Sequence, residues 1–209
     1  MYIPKPFEIS QPEKLAAIMR EHSFATIVTH DNGSLFASHV PVLFFPERGS
    51  RGMLAAHVAR ANPQWRHFRL DQEILVIFQG PHGYISPNWY KTKPVVPTWN
   101  YVSVHAYGIP RLLENEEALQ ALLHAMVEKY ESALLNPWPM DLPNDFKTQK
   151  MQAIVGFEIE ITRLEGKFKL SQNRTPEDVS TAVNVLKKSV NQADRELATL
   201  MAREQPGAI

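Results

Sequence analysis

Apolar and polar residues alternate with period two over long stretches of this chain, and its C-terminal part repeats instead at three and four. The runs 24–29 and 35–44 are rich in β-branched and aromatic residues. The segment His30-Asp31-Asn32-Gly33-Ser34 separates them, with Asn32-Gly33 supplying the positive φ that a tight hairpin needs. A third strand is predicted at 53–58 and a fourth at 74–79, with a short helix opened by Asn62-Pro63 and carrying Trp65 and Phe68 between them. Residues 98–108 alternate as a long strand that continues to 113 after Pro110, and 153–164 read as the last strand. Six strands with short inserted helices predict a small barrel. Pro81, Pro87, Pro94 and Pro97 interrupt the stretch 80–97, which also holds Trp89 and Tyr90. So many fixed φ angles oppose a central strand, and the aromatics oppose a solvated linker, so an ordered functional loop is expected there.

Helical spacing appears at four places. Ser10-Gln11-Pro12-Glu13 has the form of a capping box ahead of Leu15, Ile18 and Met19. Asn115-Glu116-Glu117 caps a helix whose Leu119, Leu122, Leu123, Met126, Val127 and Tyr130 fall on one face; Pro137, Pro139 and Pro143 end it, and a short polar helix is expected over 145–151. Thr175-Pro176-Glu177-Asp178 starts the C-terminal helix. Val179, Val183, Leu186, Val190, Ala193, Leu197 and Leu200 would then line a narrow seam if the helix is continuous, facing either a partner or the chain's own barrel. The expected organisation is a barrel domain over 1–174 and a helical extension over 175–209 that packs on the barrel or on a dimer partner.

Composition narrows the chemistry. The 209 residues include no cysteine, which excludes disulfides, thiolate metal sites, iron–sulfur clusters and cysteine nucleophiles. The N-terminus lacks a basic segment followed by an apolar run, and no long apolar stretch follows, so neither a signal peptide nor a membrane span is expected and the cytoplasm is the expected compartment. Lys and Arg total 22 against 22 Asp and Glu, so there is no global basic field, and DNA binding would have to be local or generated by a dimer. The phosphate loops, nucleophile elbow and zinc-binding helix of common enzyme classes are absent. No catalytic residue is assigned and no metal site is expected.

Among the histidines, His39, His57 and His105 sit on predicted strands, where each serves either as a core residue or as a ligand turned into a shared cavity. Arg60 and Asn62 stand where the short helix begins. They fit either a phosphate cradle with that helix's N–H groups or a plain capped surface helix. Lys167-Phe168-Lys169-Leu170-Ser171-Gln172-Asn173-Arg174 crowds cations and amides into a tight stretch after the last strand, a donor-rich site or a surface loop.

Five ordered motifs carry a resemblance over nearly the whole chain: Met1-Tyr2-Ile3-Pro4, Ser38-His39-Val40-Pro41, His82-Gly83-Tyr84-Ile85-Ser86-Pro87 with Trp89-Tyr90, Val96-Pro97-Thr98-Trp99-Asn100-Tyr101, and the 167–174 stretch. Together they resemble the PaiB family of FMN-binding negative transcriptional regulators. The resemblance implies a mainly β fold with helices, a six-stranded FMN-binding split β-barrel related to the pyridoxamine-phosphate-oxidase-like flavoproteins. It also implies a homodimer with FMN at the subunit interface. On that basis Ser38, His39 and Val40 would edge the isoalloxazine, His57, Arg60 and Asn62 would serve the ribityl phosphate, Trp99 and Asn100 would stack on or hydrogen-bond the ring, and Lys169 and Gln172 would close the site. The resemblance implies a repressor. The alternatives are an FMN-dependent oxidoreductase, with His82, Tyr84 and Tyr90 as candidate proton-handling groups, and a haem-binding split barrel. Against direct DNA reading, the C-terminal helix mixes Lys187, Lys188 and Arg195 with Glu177, Asp178, Asp194 and Glu196 instead of showing one basic stripe.

Overall fold

A computed structural model describes residues 1–205 and Gly207. Its strands are β1 (Glu8–Ile9), β2 (Phe24–Asp31), β3 (Ser34–Pro41), β4 (Leu43–Phe45), β5 (Met53–Ala59), β6 (Ile74–Ile85), β7 (Thr98–Leu112) and β8 (Ile154–Lys169). The helices are α1 (Pro12–Glu21), α2 (Glu116–Glu131), α3 (Asn144–Gln152), α4 (Pro176–Lys187) and α5 (Gln192–Glu204), joined by short 3-10 turns. The strands are hydrogen-bonded in the order β3-β2-β6-β7-β8-β5-β4, with β1 paired to β8. The fold is mainly antiparallel β with helices.

Two compact units are present. The first gathers residues 1–22, 79–105 and the described residues from 165 onward; the second gathers 23–78 and 106–164. The long strands β6, β7 and β8 each contribute residues to both.

In the second unit, Asn32 and Gly33 adopt φ of 49° and 81° and join β2 to β3 in register, Asp31 opposite Ser34 and Phe24 opposite Pro41. Asparagine and glycine tolerate the left-handed region that a two-residue hairpin turn demands, so the predicted hairpin forms where the sequence places it. The core takes alternate residues of these strands, with Ile27, Leu54, Val76, Phe157 and Ile159 buried. Each such side chain contributes roughly 1.5–3 kcal/mol by leaving water. In the first unit, Ile18 and Met19 of α1, Val102 and Val104 of β7, and Val179, Val183, Leu186, Leu197 and Met201 of the C-terminal helices are buried.

Several expectations are corrected. The sheet has eight strands rather than six. The 35–44 run is divided, because Val42 directs its N–H to the Ser23 carbonyl and the chain then pairs Leu43–Phe45 with β5. β1 is only two residues long, too short for alternation to reveal. The predicted loop at 80–97 begins only after Ile85, since β6 runs on through Pro81. β8 likewise extends to Lys169, so half of the donor-rich 167–174 stretch is strand. Ser10 does not cap α1. Gln11 occupies the cap position without a side-chain bond, and Pro12, whose fixed φ suits the first helical turn, sets the start instead.

The C-terminal helix is broken between Lys187 and Gln192. Ser189 donates to Asp194 Oδ2 at 2.7 Å and Asn191 accepts from the Ala193 N–H at 3.0 Å. These side chains thus take over backbone and capping positions and restart the helix. α4 and α5 pack against each other, which buries Val179, Val183, Leu186, Leu197 and Leu200 and leaves Val190 99% exposed in the connection. The seam closes largely on itself.

Candidate functional site

Five of the ten residues assigned to the cofactor meet in the second unit. Ser38, His39 and Val40 of β3, His57 of β5 and Asn62 line one open depression of about 490 Å³, with Val58, Ala59 and Ile154 in its floor and wall. Strand geometry explains the gathering. β3 is an edge strand with no buried residue, so both its side chains and its outer backbone face remain available, while β5 presents His57 opposite Gly156 on its paired strand.

The polar groups here are only partly committed to one another. Asn62 Nδ2 donates to Ser38 Oγ at 2.8 Å, while its Oδ1 accepts from the Gln64 N–H at 3.0 Å. His39 Nδ1 meets Thr26 Oγ1 at 2.9 Å, and its ring stacks on Phe24 with centroids 6.4 Å apart. His57 Nδ1 is buried without a hydrogen-bond partner among the described residues. Burial pushes the His57 pKa below the ordinary 6.5, so the ring is neutral at pH 7, with one nitrogen that a ligand can satisfy. A hydroxyl, an amide, an imidazole and an open strand edge form a donor and acceptor set that fits a polar aromatic molecule with hydrogen-bonding groups along its edge.

Arg60 does not turn into the depression. Its guanidinium donates from Nε to the Gln152 carbonyl at 2.6 Å and from a terminal nitrogen to the Ile154 carbonyl at 2.9 Å, fastening the start of β8. The turn after it, Pro63–His67, is held by a residue the sequence did not single out. Gln64 is fully buried, and its Nε2 donates to the Ile27 and Phe36 carbonyls at 3.0 and 3.2 Å and lies 3.3 Å from Thr29 Oγ1. An uncharged residue between Pro63 and Trp65 carries no sequence signal of such a role.

The other four assigned residues lie in the first unit. Trp99 is 54% exposed and gathers His82 and Tyr84 around its ring, with centroids 6.4 and 6.2 Å away. Gln79, His82, Trp99, Tyr101 and Ser103 line a hollow of about 320 Å³. Asn100, one residue along β7, points to the opposite face and is buried; its Nδ2 donates to Ser171 Oγ at 2.9 Å, and that hydroxyl also meets Tyr90 OH at 2.9 Å. Gln172 folds back on its own turn, accepting from the Leu170 N–H at 2.7 Å and donating to the Phe168 carbonyl. Ser171 between them has φ of 70°, so these side chains brace a left-handed turn. Lys169 donates to Thr98 Oγ1. Burial, then the nearby charges of Lys167 and Arg174, push its pKa below the ordinary lysine value.

His105 belongs to the first unit and is not among the residues lining the depression. Among the described residues no group of three or more His, Asp or Glu side chains is arranged to hold a metal ion, and no helix is long and apolar enough to cross a membrane.

A family model described as "Putative FMN-binding domain" matches residues 1–163. The chain is 39% identical over 203 residues to the Protease synthase and sporulation protein PAI 2 of Bacillus subtilis, an alignment covering 96% of each. Two solved structures share the fold at low identity. The flavocytochrome from Azotobacter vinelandii has a TM-score of 0.58 at 16% identity, covering 81% of this chain and 70% of that one. The FAD and haem binding protein from Mycobacterium smegmatis has a TM-score of 0.58 at 14% identity, covering 83% and 78%. A match of this extent, on a chain that already carries the motifs in order, places the protein in the "Putative FMN-binding domain" family, the PaiB-like proteins those motifs resemble.

Proposed function

We propose that this chain is an FMN-binding split-barrel homodimer that acts as a negative transcriptional regulator, with the flavin seated in the depression of Ser38, His39, Val40, His57 and Asn62. The observation that carries the reading is the buried, unpartnered Nδ1 of His57 in an open hollow, in a chain whose family model is described by FMN binding. An unsatisfied buried nitrogen costs free energy that a ligand hydrogen bond recovers. In this reading the β3 backbone and Ser38 border the ring system, His57 and Asn62 take the polar end, and Arg60 positions the Ile154 wall by holding the start of β8. A bound flavin would supply electron or hydride transfer chemistry. The residues themselves bind, orient and exclude water.

The homodimer rests on β3. It ends the strand order, none of its residues is buried, and Leu35 on it and Phe24 on the paired strand are 75% and 70% exposed. A long apolar edge of this kind invites pairing with another copy. The regulatory role rests on the name of the B. subtilis relative, which refers to protease synthesis and sporulation. With a net charge of zero, DNA contact would come from a local surface of the dimer.

The test is the visible absorption spectrum of freshly purified protein before and after FMN addition, with a solution mass on the same sample. Flavin bands and a dimer mass are the expected result. A colourless protein that ignores FMN would remove the cofactor claim, and a monomer at micromolar concentration would remove the interface. The exposed Trp99, His82 and Tyr84 cluster favours one second reading, an oxidoreductase in which these rings border a small substrate. Reoxidation of bound reduced flavin by a substrate would show it. A Soret band would point instead to haem.

A further inference from the structure

The second unit holds another hollow, of about 880 Å³, between α2, α3 and the connection at 138–142. That volume lies within the range of small-molecule sites. Leu123, Val127, Trp138, Leu142 and Met151 supply its apolar walls. The apolar stripe of α2 is wider than its core contact requires. Leu122 and Met126 are buried, while Leu123 and Val127, each one position further along, are only half-buried and face the hollow. The connection that covers it is anchored, since the Trp138 N–H donates to Glu131 Oε2 at 2.8 Å. Met140, which also lines the hollow, holds φ of 58°, a backbone state costly for a residue with a side chain.

Charge marks one end. Lys147 and Lys150 stand one helical turn apart on α3 and both line the hollow, where Glu117 is the one carboxylate. Neither ammonium is ion-paired among the described residues, and Lys150 instead sits 5.0 Å from the Phe146 ring centroid. Two cations against one acid leave a net positive charge beside an apolar chamber. We infer that this hollow binds a small apolar monocarboxylate, its chain or ring against Leu123, Val127 and Trp138 and its carboxylate at Lys147 and Lys150. Ile154 lines both this hollow and the depression of Ser38 and His57, so the ligand would lie across one side chain from the flavin. That adjacency, unlike the site itself, rests on the flavin reading.

The test is isothermal titration of the full-length protein as purified, with decanoate and with decanol, both kept below micelle formation. Saturable 1:1 binding of decanoate, stronger than decanol, is expected. The double variant K147Q/K150Q should weaken decanoate by about tenfold and leave decanol unchanged, because only the charged head is affected. Ala121→Trp, which places an indole in the hollow from an exposed helix position, should abolish binding of both. Absence of saturable decanoate binding, or equal decanoate affinity in wild type and K147Q/K150Q, overturns the inference. FMN titration of the same variants reads the flavin proposal separately, since none of the substituted residues lines its depression.

Discussion

Two polar clusters in this protein differ in their surroundings: one is buried among partners from its own unit, and the other borders an open depression. Around Ser171 in the first unit, Tyr90, Asn100, Gln172 and Asp178 direct most of their polar atoms at their own chain. Ser171 Oγ takes two partners, Gln172 braces its turn from both sides, and Asp178 accepts the Lys91 and Thr92 N–H groups at 2.7 and 3.1 Å. In the second unit, His57 keeps a buried nitrogen unmet and β3 keeps an open edge. The first set fixes the loop 86–97 and the turn at Ser171, although Asn100 Oδ1 and Asp178 Oδ2 stay buried without a partner among the described residues, whereas the unmet group of His57 belongs to a residue lining an open hollow that a ligand can enter. Asn100, Ser171 and Asp178 are buried, whereas Ser38, His57 and Asn62 are half-buried and His39 is exposed, so polar side chains serve structure in one place and stay within reach of a ligand in the other.

Substitutions separate the two. The largest effect is expected for Asp178→Ala, which leaves two N–H groups without their carboxylate. Urea unfolding should show a loss of about 2–3 kcal/mol, with FMN affinity of the folded protein unchanged. His57→Leu should do the reverse, weakening FMN about tenfold in a fluorescence titration while stability holds or rises, because the unmet nitrogen is gone. Equal losses of stability in both variants would erase the distinction. Asn62→Ala frees Ser38 and the Gln64 N–H and should reduce FMN affinity by about 1 kcal/mol, whereas Arg60→Ala should chiefly lower stability, because its donors go to carbonyls of Gln152 and Ile154. If Arg60→Ala weakens FMN more than Asn62→Ala, the guanidinium serves the phosphate after all.

The smallest effects are those of pH. Burial raises the Asp178 pKa, but hydrogen bonds from Thr92, Lys91 and Thr175 outweigh it and hold it below the ordinary 3.8. The stability it contributes is therefore present above pH 3.8 and lost as pH falls through the lower folded value, and the Asp178→Asn variant should show a flatter acid limb in thermal melts. For His57 the folded pKa is also depressed, so the unfolded chain binds the proton first and stability declines as pH falls below about 6.5. His57→Gln should remove that slope.

Local signals in the sequence determined a good deal. Asn32-Gly33 sets the hairpin because few residues adopt positive φ; Asn115 and Thr175 cap the helices they were expected to cap; alternation over 98–112 marks β7. The ordered motifs gave family membership. Tertiary structure decided what period and propensity leave open. Whether β6 stops at Gln79 or crosses Pro81 depends on strand pairing, not on composition. The division of the C-terminal seam into α4 and α5 depends on side-chain bonds at Ser189 and Asn191 as well as on packing between the two helices. The direction of a side chain is likewise a long-range matter. Arg60 and Asn62 are two residues apart, yet one fastens β8 and the other lines the depression; Trp99 and Asn100 are adjacent, yet alternation puts one in solvent and buries the other. Residue identity limits which bonds a group can make, and only the folded neighbours select among them.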